Sequence, residues 1–316
     1  MQAFYNKHKA TIIMLSPLLL GLSFFAYSGI SGLIAVKDAK IFDQVTKTSL
    51  QIGDFRIQEI DSKTNKIKWT LNAINSKSNL GQNQAQVQKP KLTFYNPNTD
   101  YNDAQFEITG EYAQFNKNEQ EINLKDNVLL LSSDGKYRLR SGHLKFQEQL
   151  AYLIVSNNWT LNSTDGYKVS GSKGLIKKDF SSMISQGNAK LTKGKQDPLE
   201  IQAQQITLEP NETQTIIAEE SALFQINETT TLTAGKIIIN QDGSIEAEST
   251  VNAKASNINC FSDKLIITVD ANKKPIEAIF TVNPYIIQGD NTIYSDKIIY
   301  DFNTEKASII GHVHSE

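Results

Sequence analysis

Hydrophobic and polar positions divide the chain into two unequal parts. Near the N-terminus lies one uncharged apolar run, and after it short stretches such as IKWTLNA and TLTAGKIII alternate apolar and polar residues. An alternation of period two over four to eight residues is typical of a strand that buries one face. Turn sequences such as Asp134-Gly135, Asp165-Gly166 and Asp242-Gly243 separate these stretches. The pattern predicts a long region built almost entirely of β-strands.

The apolar run from residue 10 to residue 36 is long enough to cross a membrane. It contains 27 residues and no charge, and as a helix it would extend roughly 40 Å, against a hydrocarbon core of ~30 Å. A cleaved secretory signal is the alternative, because AYSG at residues 26–29 offers a small-x-small site. The run continues past this site to Val36, which favours a retained single-pass anchor after a cytoplasmic tail at residues 1–9. Both alternatives predict that the chain from about residue 40 is exported.

A repeat of about 30 residues organises the rest of the chain. FSDKLIITVD and YSDKIIYDFN begin 33 residues apart, and five earlier segments align with them on one small residue, at spacings of 28 to 33 residues. A near-constant period of this length indicates stacked structural repeats. Each copy has a second half, such as NNWTL or GNAKL, in which a polar residue precedes a small or apolar one, so one repeat predicts two strands. The small residues are Gly110, Ser141, Gly171, Ala203, Ala234, Ser262 and Ser295, and a looser copy places Ala73 in the same role.

The apolar face changes parity at the small residue. In IQAQQITL, Ile201 and Ala203 are in phase with each other, whereas Ile206 and Leu208 are out of phase with them. A strand with this pattern must bend or bulge, and a small side chain lets the backbone do so. Asp-Gly turns favour antiparallel hairpins. The sequence therefore predicts an all-β fold after the anchor helix: a long antiparallel sheet folded over itself (a β-jellyroll, or β-taco) of two-stranded repeats of about 28–33 residues.

A folded sheet has an apolar inside, which is a closed core where its halves meet and a groove where they part. Aromatic and β-branched residues suit strands in either case, so core packing is the alternative role of every interior residue. Periodicity does not decide which parity faces inward. The residues predicted to line a groove are Trp69, Leu71, Phe115, Val128, Phe146, Trp159, Ile176, Leu208, Ile239, Ile267 and Tyr300.

Composition argues against nucleic acid and metal partners. The 32 basic residues are balanced by 34 acidic ones, so the total charge favours no nucleic acid. The single cysteine, Cys260, rules out an intramolecular disulfide and a thiolate zinc site, and in an exported chain it is expected to be buried and unpaired. His312 and His314 share a strand face but lack a third ligand, and His143 is expected at the surface. We predict no metal and no cofactor.

An enzyme built on stacked strands would need clustered carboxylates or basic residues at matching positions of neighbouring repeats. Asp263 and Asp296 stack in register, as do Lys264 and Lys297, but earlier repeats lack them. A charged ladder beside a strand start is more often a solvated face. The prediction is that the protein is not an enzyme.

A resemblance to a known family rests on the N-terminal span and on the segments IKWTLNA and ITGEYAQFNKNEQEINLKDNVLLLSSDGKYRLRSGHLKF. Over roughly residues 1–195 the chain resembles LptC, the membrane-anchored periplasmic component of the lipopolysaccharide export machine. From about Leu199 the repeats resemble the LptA/OstA-type periplasmic domain, with KGKQDP at 193–198 as the boundary. The resemblance therefore implies a tail (1–9), an anchor (10–36), an LptC-like domain (37–195) and an LptA/OstA-like domain (196–316). The chain departs from the family in its C-terminal extension and in Asp126, which replaces a glycine expected before Asn-Val.

The resemblance implies a protein of the inner membrane, spanning it once, with most of its chain in the periplasm. It would accept lipopolysaccharide from an ABC transporter of the LptB–LptF–LptG type and hold the acyl chains inside the folded sheet. The C-terminal strand pattern at ASIIGHVHSE predicts a sheet edge open to a partner strand, and the resemblance implies an LptA-like or outer-membrane LptD-like partner there. A structural or adhesive β-repeat protein without a lipid groove is the alternative, and uptake of lipid distinguishes the two.

Overall fold

The computed structural model describes residues 37–40, 49–79, 84–96, 103–194, 199–210, 213–255 and 258–315. Every regular element among them is a β-strand, and every strand pairing whose register is defined is antiparallel, as the sequence predicts. The predicted cytoplasmic tail and anchor, residues 1–36, lie outside the described residues. Within the described ranges no helix has the length and apolar character needed to span a bilayer.

The chain divides into two compact units, residues 1–135 and 136–316. The predicted domain boundary near residue 195 stays a prediction. In the first unit the strands are β1 (Lys37–Lys40), β2 (Ser49–Ile60), β3 (Ile67–Ala73), β4 (Asn75–Asn79), β5 (Gln84–Gln88), β6 (Lys91–Tyr95), β7 (Ala104–Thr109), β8 (Tyr112–Asn116) and β9 (Glu121–Ser132).

The second unit contains fifteen strands among its described residues. They are β10 (Tyr137–Gln147), β11 (Tyr152–Ser163), β12 (Tyr167–Lys177), β13 (Met183–Lys193), β14 (Leu199–Glu209), β15 (Thr215–Gln225), β16 (Thr230–Ile239), β17 (Ile245–Ala255), β18 (Ile258–Val269), β19 (Pro275–Thr281), β20 (Tyr285–Gln288), β21 (Asn291–Tyr294), β22 (Lys297–Asp301), β23 (Lys306–Ile310) and β24 (His314–Ser315).

In the first unit the sheet separates into two branches between the long strands β2 and β9. One half of β2 pairs with β3, and the other half pairs with β4. Two branches then run side by side, β3–β6–β7 and β4–β5–β8. Both branches rejoin on β9, whose halves pair with β7 and β8. The sheet is therefore divided into two parts along a line that crosses the middle of every long strand.

The second unit uses unbroken strands for most of its length. From β10 to β18 each strand pairs with the next, and each of these pairings has a register shift in its middle. At the end the halves separate: β18 pairs with both β19 and β20. We call layer A the half-strands continuous with β19, β22 and β23, and layer B those continuous with β20, β21 and β24.

The parity switch predicted at the small residue is confirmed. In β14 the buried side chains are Ile201 and Ala203 before the switch, and Ile206 and Leu208 after it. The same arrangement, with a three-residue step between buried positions, occurs in β10, β16 and β18. Because the apolar face stays on one side only if the backbone turns there, these strands bend where the sequence indicates.

Two consecutive left-handed residues bend β9, β11, β13, β15 and β17 and connect β19 to β20, a feature that the sequence pattern did not predict. In β13, for example, Gly187 and Asn188 have φ values of 69° and 52°. The pair takes up two positions without adding a buried side chain, so the buried residues are four apart rather than two. Asp126 has φ of 60°, so the absence of the expected glycine leaves the bend intact. The pairs are Asp126-Asn127, Asn157-Asn158, Gly187-Asn188, Glu220-Ser221, Ser249-Thr250 and Val282-Asn283.

The small residues lie against the bend of the neighbouring strand. A Cβ added to Gly142 would lie 2.9 Å from both Cβ and the backbone oxygen of Asn157, and one added to Gly171 would lie 2.3 Å from Oγ of Ser185. Ser141 instead donates its hydroxyl proton to the backbone oxygen of Ser156 at 2.7 Å. At the bend the strands thus approach too closely for larger side chains.

Candidate functional site

All eleven residues predicted to line the inside are buried, with exposed fractions of 7% or less. In the second unit six of them occupy one continuous row in layer A, which we call the long row. Each member faces the next across a strand pair, through eleven strands. Its members are Phe146, Leu153, Ile176, Met183, Leu208, Ile216, Ile239, Ile245, Ile267, Ala278 and Tyr300.

The predicted residues of this row come from only one strand of each hairpin. Leu153, Met183, Ile216, Ile245 and Ala278 belong to the intervening strands and were missed. The available signal was alternation within the second half of each repeat, as in MIS and IEA. Their burial, at 4% exposure or less, makes the row apolar without interruption.

Trp159 belongs to layer B and reaches toward layer A. It pairs with Gly171 in layer B, yet its indole also lies where a Cβ of Gly174, in layer A, would be. The contact shows that the buried faces of the two layers face each other across the bend.

The four remaining predicted residues line the inside of the first unit. Trp69 pairs with Phe94, whose ring stacks on Phe106 at a centroid distance of 4.5 Å. Leu71 is fully buried beside Leu92. The other two, Phe115 in β8 and Val128 in β9, are 4% and 1% exposed. These contacts satisfy core packing, and contact with a lipid stays a prediction for all eleven residues.

A cleft opens between the two layers along one rim of the second unit. Its volume is about 370 Å³. Ile216, Ile239 and Ile245 of the long row form its wall in layer A, and Phe224 and Ile226 form its wall in layer B. Farther along, the inside is closed: the void beside Cys260, Leu265 and Tyr300 measures about 10 Å³. The long row therefore runs from closed core to an open mouth.

The charged residues considered as catalytic candidates support the bends instead. Oδ2 of Asp263 accepts a hydrogen bond from Nδ2 of Asn283 at 2.9 Å. Oδ2 of Asp296 accepts one from the backbone N–H of His312 at 3.0 Å and lies 2.9 Å from Nδ1 of its ring. These contacts with the His312 backbone and ring hold the pKa of Asp296 below its usual value. Lys264 forms a salt bridge with Glu248 at 3.6 Å.

The other titratable groups have structural surroundings. The His314 ring stacks on Tyr294 with centroids 4.9 Å apart. His143 is half-buried, and its Nδ1 lies 3.2 Å from Oγ of Ser156, so the expectation of a plain surface residue was incomplete. Among the residues that the structure describes, no group of three or more His, Cys, Asp or Glu side chains could hold a metal ion. Burial raises the pKa of the free Cys260 thiol to about 12.

Residues 43–148 match the family model described as "Lipopolysaccharide-assembly, LptC-related". The chain contains a region that is similar to this family. This region covers about a third of the chain, from before β2 to the end of β10, and includes the folded sheet of the first unit. The match supports the resemblance to LptC that the sequence shows. The matched residues include strands whose apolar side chains are buried on the inside of the folded sheet.

The comparison with solved structures found similar chains, among them one of low overall similarity. It is the crystal structure of LptH, the LptA homologous periplasmic component of the conserved lipopolysaccharide transport device from Pseudomonas aeruginosa. The match has 10% sequence identity and a TM-score of 0.22, and covers 48% of this chain and 93% of LptH. The search of the curated proteins found no significant match to this chain.

Proposed function

We propose that the protein is a membrane-anchored periplasmic carrier of lipopolysaccharide, which accepts the lipid from an inner-membrane ABC transporter and passes it toward the outer membrane. The observation that supports this most is the long row. An unbroken apolar row through eleven paired strands, with an open mouth between two layers, provides one continuous surface for acyl chains. No residue needs to perform chemistry in such a transfer.

The energetics of lipid transfer fit an interior of this kind. Each methylene removed from water contributes about 0.8 kcal/mol, so a chain of about ten methylenes contributes about 8 kcal/mol. A carrier must recover most of this free energy for every chain. Buried side chains such as Leu208 and Ile239 would contact a lipid when the layers part at the bends.

A partner strand has a place to dock at the C-terminal end. β23 pairs with β22 through Lys306 to Ile310, and no other described strand pairs with its second edge. Unpaired N–H and C=O groups on such an edge recruit strands. Ile310 is 46% exposed there and offers apolar surface to a partner. An LptA-like or LptD-like sheet adding to this edge would extend the interior into the next protein.

Site-specific photo-crosslinking in cells tests the proposal. A photoreactive residue would replace Leu208, Ile216 or Ile239 in turn, each with an outward-facing neighbour as control: Thr207, Ile217 or Ile238. We expect lipopolysaccharide adducts at the long-row positions and none at the controls. Adducts at neither set would favour the structural or adhesive alternative.

A further inference from the structure

The mouth of the cleft carries more positive than negative charge. Lys193 lies on the rim of layer B, and Lys273 and Lys274 lie on the rim of layer A, in the turn between β18 and β19. Glu228 is the carboxylate among the residues that line the cleft. None of these lysines forms a salt bridge with a described residue. The apolar walls thus end in ammonium groups on both sides.

The structure holds two of these lysines in place over the mouth. The stem of Lys273 packs on Gly243, where a Cβ would come within 3.0 to 3.3 Å of three of its carbons. Its Nζ donates to the backbone oxygen of Gln241 at 2.7 Å, which leaves two N–H donors for a ligand. Nζ of Lys193 lies 4.9 Å from the ring centroid of Tyr167. Positioned ammonium groups lose less entropy on binding an anion than free ones.

The carboxylates nearest to these lysines, Asp242 and Asp270, keep their negative charge but form no salt bridge with them among the described residues. Asp242 is close enough to Lys273 to interact, but its Oδ1 already accepts the backbone N–H and the hydroxyl of Ser244, at 2.9 and 2.7 Å. Oδ1 of Asp270 accepts the backbone N–H groups of Asn272 and Lys274, both at 2.8 Å. Both carboxylates are thus engaged in their own turns.

We infer that Lys193, Lys273 and Lys274 position the anionic headgroup of an amphiphile whose acyl chains enter the cleft between the layers. The inference rests on the proposed function and adds its headgroup specificity. A phosphate or carboxylate at the mouth would accept charge-assisted hydrogen bonds from lysines of both rims, while the chains contact Ile216, Ile239 and Phe224. Glu228 opposes the same headgroup.

The test uses the full chain in phosphatidylcholine nanodiscs with a photoreactive residue at Ile239. The measured quantity is the lipopolysaccharide concentration that gives half-maximal adduct. Lys273→Gln with Lys274→Gln should raise it roughly tenfold, the effect of losing about one charge-assisted contact. The double Lys→Arg variant should keep the wild-type value, and Glu228→Gln should lower it. Lys236→Gln, on the outer face and salt-bridged to Glu219, is the matched control and should have no effect.

The same titration with chemically dephosphorylated lipopolysaccharide identifies the headgroup as the cause. The lysine variants should bind this form as the wild type does. An equal loss with both lipids would assign the lysines to packing and overturn the inference, as would adduct formation that is insensitive to every lysine variant. Absence of adducts from the wild type with either lipid would instead overturn the proposed function itself.

Discussion

The indole of Trp159 fills the space that a side chain on Gly174 would need: a Cβ there would lie 2.7 Å from Cε2 and Cζ2 of the ring. The two residues come from different layers of the second unit, so this contact holds the layers together near the bend. The largest fully buried side chain of the inside therefore depends on one glycine.

Gly174→Ala should destabilise the fold by about 1–3 kcal/mol, the typical effect of overpacking a dense core. The added methyl would meet Trp159 and also Cγ2 of Val155, at 2.6 Å. Chemical denaturation of the full chain in detergent measures the change. Gly194→Ala is the matched control, because a Cβ at Gly194 has no neighbour within 4 Å and should leave stability unchanged. Equal stability of both variants would mean that the layers move apart freely at this point.

Val282→Gly should stabilise the protein by about 0.5–1 kcal/mol, although most substitutions to glycine do the opposite. Val282 has φ of 61°, a conformation that a β-branched side chain adopts only under strain. Its side chain is 53% exposed, so little buried surface is lost. Val313→Gly is the control, because Val313 is 55% exposed and its backbone has no positive φ. This substitution should not stabilise the protein. Thermal unfolding of both variants decides the point, and a lower melting temperature for Val282→Gly would contradict the strain.

The contact between Asp296 and His312 predicts how the carboxyl titrates. The His312 backbone N–H lowers its pKa most, and the imidazole ring adds to the effect. A lowered pKa means that the contact stabilises the fold above the ordinary value of 3.8, and that this contribution is lost as the pH falls through the folded-state pKa.

Carboxyl carbon NMR titration should therefore give a higher Asp296 pKa in His312→Ala, but one still below the ordinary value. Gly311→Ala should raise the Asp296 pKa further toward its ordinary value. The new Cβ would lie 2.1 Å from Oδ2 of Asp296 and would displace the carboxyl from both the backbone N–H and the ring of His312. His314→Ala keeps the contact and should leave the pKa unchanged. Identical curves for the wild type and Gly311→Ala would show that the carboxyl is not bound as described.

Cys260 should be unreactive in the folded protein. Burial raises the pKa of its thiol from 9.0 to about 12, so the reactive thiolate is scarce near neutral pH. Maleimide labelling should require denaturant, whereas a cysteine at Val313 in a Cys260→Ala background should react at once. Rapid labelling of native Cys260 would indicate that the interior opens to solvent.

The same shift predicts that high pH weakens the fold. The unfolded chain loses the thiol proton near pH 9 and the folded chain only near 12, so stability falls as the pH rises between them. Cys260→Ala should show a smaller fall over that range in denaturant titrations. Equal slopes for the two proteins would contradict a buried, protonated thiol.

The sequence was sufficient to predict where the strands bend. In β14 the parity of Ile201 and Ala203 against Ile206 and Leu208 has one simple geometric solution, and the structure adopts it. The sequence was insufficient for the neighbouring strands. The pairs Asn157-Asn158 and Glu220-Ser221 leave the alternation of buried and exposed residues in phase, and their left-handed conformation depends on the partner strand.

The candidate site was predictable in its buried residues and not in its opening. Burial of Leu208 and Ile239 follows from local alternation, a property of each strand alone. The cleft depends on how far two distant rims part, and two of the lysines at its mouth, Lys273 and Lys274, lie in a turn, where no apolar period operates. Lys193 and Lys273 are 80 positions apart in the chain, so their common place at the cleft could be recognised only in the folded sheet.

Eleven strands of the second unit each add one residue to the long row, so the length of the apolar path depends on the number of repeats. Eleven strands are separated by ten intervals of ~4.8 Å, which gives a contour of roughly 48 Å. Gaining or losing one hairpin would change this contour by about 10 Å and leave every local contact type in place. Evolution could therefore adjust the reach of such a protein in discrete steps by duplicating a segment of about 30 residues, without redesigning its cross-section.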